Sequence, residues 1–139
     1  MAAIPKATQA HLGYTDEQVA NLKQNQINYI NGIREHIKYN LVAEVVESKN
    51  CGWQAKVGDR IVLRGLGGLV PADCTNKEGF CIWALAALLP YSMIMLDRAS
   101  SGMDPNESVF KRTTCGDTGV EHCGWGRIVM EISAEKWSA

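Results

Sequence analysis

The chain has 139 residues, 46% hydrophobic and 21% charged, with a net charge of −1. That length and composition describe one globular domain large enough to bury a core. The near-zero charge removes the electrostatic basis for a nucleic-acid or anionic-membrane partner, and no cationic start or apolar signal core follows Met1.

Residues 1–13 read as a draped N-terminal arm, broken by Pro5 and Gly13. Residues 14–39 read as an N-terminal helix. Thr15 is placed to cap its free N–H groups, with Gln18 three residues on as reciprocal partner. Val19, Leu22, Ile30, Ile33 and Ile37 recur at helical spacing, while Gly32 weakens the middle. This stripe marks a packing face or a docking arm for a second subunit. His11 and His36 read as surface residues.

Residues 40–139 are expected to form a single α+β domain. Leu41–Glu47 is rich in β-branched residues and reads as a strand. A Val57-Gly58-Asp59 turn introduces a second strand, Arg60–Arg64. The glycines at 65, 67 and 68 read as a turn, since a phosphate loop requires a helix directly after it and Leu69-Val70-Pro71 follows instead. Phe80–Leu96 is the central helix, which Pro90 is expected to kink or split. It is apolar all round, the mark of a core helix or of a core helix with an oligomer interface. Interrupted by Pro90 and Ser92, it is marginal as a membrane span. Ser108–Thr114 and Arg127–Ile132 read as the closing strands, joined by a segment too glycine-rich for regular structure. The expected fold is a small, mainly antiparallel sheet packed on the central helix, with an extra N-terminal helix outside.

Five cysteines carry the candidate chemistry. Without an export signal the expected compartment is the cytoplasm, which argues against permanent disulfides. Cys74 and Cys81 flank the start of the central helix; Cys115 and Cys123 bound the glycine-rich segment. These four thiols are the expected metal ligands, for zinc or an iron–sulfur cluster in a redox or accessory-subunit role, with Cys51 outside the set. Their spacings differ from the Cys-x-x-Cys of zinc knuckles and ferredoxins. A second reading is a small enzyme in which Cys81, at the helix start, is the nucleophile, with His122 or one of Asp73, Glu78, Asp117 and Glu121 as acid or base. A third is a structural subunit whose cysteines are reduced core residues. Trp53, Trp83 and Trp125 are candidates to wall a pocket near the cysteines, with core packing the favoured reading of Trp83. The apolar stripe and the central helix predict a homo-oligomer or a partner protein subunit.

The Val57-Gly58-Asp59 turn, the helix residues Cys81, Trp83, Ala84, Ala87, Leu88, Pro90 and Tyr91, and Cys115 ahead of the strand at Ile128–Ile132 form a pattern. Over residues 40–133 this resembles a family of short, functionally uncharacterised prokaryotic proteins. They share a Cys-x-Trp-Ala-x-x-Ala-Leu-x-Pro-Tyr helix and a late cysteine before the closing strand. The resemblance implies a fold type and a recurring cysteine pair, and no established activity. The late cysteine of that family precedes Pro-Asp, whereas Cys115 precedes Gly116-Asp117, and the insert with His122, Cys123 and Trp125 is additional.

Overall fold

The computed structural model describes residues 3–137 and, of His36, the backbone alone; the first two residues of the expected arm and the surface placement of His36 lie outside it. The fold is α+β. The described residues form four α-helices and a four-stranded antiparallel sheet: α1 (Lys6–Leu12), α2 (Asp16–Ala20), α3 (Gln24–His36), β1 (Tyr39–Lys49), β2 (Arg60–Arg64), α4 (Ile82–Ser100), β3 (Arg112–Thr114) and β4 (Arg127–Lys136). The sheet order is β2-β1-β4-β3.

Sheet and central helix share one core. Leu41, Ala43 and Val45 of β1 and Ile128, Met130 and Ala134 of β4 meet Ala84, Leu88 and Met95 of α4. A bulge at Val46 separates the pairs Val45↔Met130 and Glu47↔Val129. It lets β1 switch the parity of its inward side chains while β4 keeps its own. On the other face of the sheet, Val42 and Val62 bury Cys74. β3 pairs with only three residues of β4, and beyond it Asn106 acts in its place. Its amide donates to the Ala134 carbonyl at 2.9 Å and accepts from the Ala134 N–H at 2.8 Å, so the strand edge stays satisfied.

α4 is continuous through Pro90, so of the kink or split expected there the helix is not split. In the single chain Pro90 and Ala86 are both exposed, so the carbonyl that loses its helical donor is open to water and the ring meets no packed neighbour of its own chain. By length and mean hydropathy of 1.3, α4 is the one described helix able to cross a membrane. Here its Ala84–Leu88–Met95–Ala99 side is packed in the folded domain.

The N-terminal region is three helices rather than an arm and one long helix. α1 forms within the expected arm and ends at Gly13, whose φ of +70° suits glycine. Thr15 and Gln18 make the expected reciprocal cap: the Gln18 N–H donates to the Thr15 hydroxyl at 3.1 Å, and the Thr15 N–H to Gln18 Oε1 at 2.8 Å. α2 stops after five residues, and α3 opens with the Lys23 N–H donating to Gln26 Oε1. Ile4, Ile27 and Ile30, with Val19 and Leu22 beside them, bury a small second core.

Gly32 joins that unit to the rest. A Cβ there would overlap the Ser100 carbonyl at the end of α4. Alanine would gain at most about 1 kcal/mol of helix propensity, but overpacking against backbone costs about 1–3 kcal/mol, since backbone has no rotamer to escape into. Gly32→Ala is therefore expected to lower the denaturation midpoint. A variant more stable than the parent would mean that α3 and α4 do not approach this closely.

Candidate functional site

Antiparallel order gathers the chemistry at one end of the sheet. β1 ends there, β4 begins beside it through the pair Lys49↔Arg127, β3 finishes there and β2 starts nearby. The N-terminus of α4 faces the same end. Between them lies a cavity of about 570 Å³, within the usual range for small-molecule sites. Its floor is apolar, with Val45, Ile61, Ala84 and Ile128 contributing.

Three tryptophans rim it, each resting on a glycine of a neighbouring segment. A Cβ on Gly79 would stand 3.0 Å from Trp53 Cζ2, one on Gly52 3.4 Å from Trp125 Cδ1, and one on Gly116 3.7 Å from Trp83 Cβ. At Gly79 the absent side chain is what lets the Trp53 ring lie this close, while the other two spacings are ordinary contacts. Trp53, Trp83 and Trp125 are 50%, 55% and 70% exposed, so these are large apolar surfaces held at an opening. Trp83 therefore belongs to the cavity mouth and not to the core, because it sits on the solvent side of α4, opposite Ala84 and Leu88.

Two loops hold the rim. In the first, Asn50 and Gln54 adopt left-handed backbone, with φ of 52° and 60°. Such conformations persist where the surroundings impose them. The second is organised by Asp117. Its carboxylate accepts from the N–H of Gly119 at 2.9 Å, Trp125 at 3.0 Å and Gly126 at 3.1 Å. The Gly119 N–H foremost, then those of Gly126 and Trp125, hold the Asp117 carboxyl below its usual range, against an opposing effect of partial burial. Asp117 thus serves the loop as an acceptor with its oxygens engaged. Gly126 must be glycine, because a Cβ would overlap the Asn50 carbonyl of the first loop.

The cysteines divide between places. Cys81 and Cys115 line the cavity, and Cys51, set apart in the sequence, lines it with them. Cys74 is buried on the opposite face of the sheet, where its sulfur accepts from the Val62 N–H at 3.2 Å and donates to the Val70 carbonyl at 3.2 Å. Cys123 is exposed, in left-handed backbone at the end of a 3₁₀ turn. The expected four-thiol set is thus not assembled, because the sheet separates Cys74 from Cys81. All five cysteines are free thiols. Among the described residues no group of three or more His, Cys, Asp or Glu is arranged to hold a metal ion. His122 is exposed and lies outside the cavity wall that Cys81 lines; its N–H donates to the Gly119 carbonyl.

Two of the ionised groups at the wall have partners within the chain. Asp59 accepts the Lys56 N–H at 2.8 Å, and Arg60 donates to Glu135 at 2.7 Å. Asp73, Glu78 and Glu121 are exposed and lie off the wall. Comparison with protein-family models, curated proteins and solved structures gives no match, so the cavity is what bears on function.

Proposed function

We propose that this protein binds an uncharged, largely apolar small molecule, about the size of two fused or linked aromatic rings, in the tryptophan-rimmed cavity. The observation that carries this reading is a mainly apolar chamber of about 570 Å³ rimmed by three tryptophans, with its one cation already paired. An anionic ligand would give up its hydration where Arg60, the one cation lining the cavity among the described residues, is already paired with Glu135. An apolar one gains by burial and by stacking on indole rings. The thiols of Cys51, Cys81 and Cys115 add a soft, polarizable wall, and free thiols suit a reducing cytoplasm.

N-phenyl-1-naphthylamine, a neutral apolar fluorophore, is the probe. It is expected to gain emission on binding and to quench the protein's tryptophans in a saturable way. Trp53→Ala and Trp125→Ala, both at exposed positions, are each expected to weaken binding about tenfold, about 1.4 kcal/mol, with little change in melting temperature. Absence of saturable binding, or binding untouched by the double variant, would overturn the reading. Metal analysis and an absorption spectrum of anaerobically purified protein test the metal alternative. Stoichiometric zinc, or visible iron–sulfur bands, lost in Cys81→Ser, would replace the ligand reading with a thiolate centre at this wall.

A further inference from the structure

α4 carries a second feature, independent of the ligand reading. Its outward side is apolar and uncovered. Ile82, Leu89 and Met93 are 68%, 63% and 63% exposed, and Ala86 between them is exposed as well. The positions 82, 86, 89 and 93 are spaced by four, three and four residues. That is the seam spacing of two packed helices. A solvated helix face carries charge at such positions, and this stretch has none before Asp97. Trp83 and Ile94 widen the face, and Phe110, 72% exposed, continues it past Ile94, with which it lines a shallow groove.

We infer that this face is covered by a second copy of the same chain, with the two α4 helices packed antiparallel about a two-fold axis near residues 87 and 88. Three observations select a second copy. The seam is self-complementary: reversed on itself, it sets Ile82 against Met93 of the second copy and Leu89 against Ala86, a large side chain into the space over a small one. The area is adequate. The six large exposed side chains named above, at about 100 Å² each, give roughly 600 Å² per chain, about 1,200 Å² in total, the lower bound of a specific stable interface. The net charge of −1 gives two copies little to repel. The pairing bears on the cavity too, because Ile82 and Trp83 belong both to the seam and to the cavity wall. The second copy's Met93 and Ile94 close the mouth on that side.

Sedimentation velocity and light scattering of the full chain at tens of micromolar test this. The expected mass is twice the 15.3 kDa of one chain. Ala86→Glu and Leu89→Lys, at exposed positions that the monomer's core does not use, are each expected to return the mass to one chain while circular dichroism and melting cooperativity persist. Combining the two variants in a mixture should restore a mixed dimer, because the antiparallel register places the carboxylate introduced in one chain against the ammonium introduced in the other. A parent protein of single-chain mass would overturn the inference. So would a dimer that survives both variants, or single-chain protein that instead partitions onto neutral phosphatidylcholine vesicles. None of these readouts involves the cavity's ligand, so the ligand reading can fail while the dimer stands.

Discussion

Leu88→Ala is expected to destabilise the fold by about 2–5 kcal/mol, toward the upper part of that range. Leu88 is fully buried at the centre of α4, opposite the equally buried Leu41 and Met130. The cost of such a truncation depends on how far the surroundings collapse into the space. Ala43, Ala84 and Ala134 line the same core and have nothing to extend, and only Met95 and Met130 are flexible enough to follow. For a domain of this length total stability is about 7–20 kcal/mol, so the loss is a large share of it. Urea denaturation measures it, and Leu88→Met, which conserves volume, should cost less than about 1.5 kcal/mol. A Leu88→Ala loss under about 1 kcal/mol would mean that α4 is not packed on the sheet as described.

The core of this fold was legible because it rests on local pattern. Arg60–Arg64 is a strand with the bounds its β-branched residues predict, and the Val57-Gly58-Asp59 turn has Gly58 at φ +94°. The Thr15–Gln18 cap is equally local, needing two side chains three residues apart. What failed depended on distant neighbours. Gly32 looked like a weakness in a helix and is a contact point with Ser100. Pro90 looked like a break and lies where water receives the freed carbonyl. The break at Asn21–Lys23, which ends one helix and starts another, has no glycine or proline to announce it.

The candidate site was half legible for the same reason. Cysteines and tryptophans stood out as residue types, but grouping them required strand order. Sequence proximity paired Cys74 with Cys81, and the sheet puts them on opposite faces. Sequence distance set Cys51 aside, and antiparallel pairing of β1 with β4 brings it to the end where Cys115 lies. One signal was available. Cys51 closely follows the long first strand and Cys115 directly follows β3, and in an antiparallel sheet both strands finish at one end. Trp83 was misplaced because a helix apolar all round offers no periodic cue to which side is buried.

Acid should open the glycine-rich loop, and Asp117→Asn should open it at neutral pH. The Asp117 carboxyl titrates below its usual range because it accepts the Gly119, Gly126 and Trp125 N–H groups. A depressed folded value means that its contribution is complete above the unfolded value, about 3.9, and is lost as pH falls through the folded one. The amide resonances of Gly119, Trp125 and Gly126 should therefore stay constant from neutral pH down to about pH 4 and move together below it, toward the positions of unbonded amides. Asparagine keeps one acceptor oxygen but turns an amide donor toward one of the N–H groups it replaces, an arrangement that cannot be satisfied. In Asp117→Asn those resonances should start displaced and show no acid transition. Because Trp125 and Gly126 follow directly on this bonding, N-phenyl-1-naphthylamine affinity should fall about tenfold or more in the variant, and in the parent protein only under acid. Resonances that titrate alike in parent and variant would show that the loop is held by something other than this carboxylate.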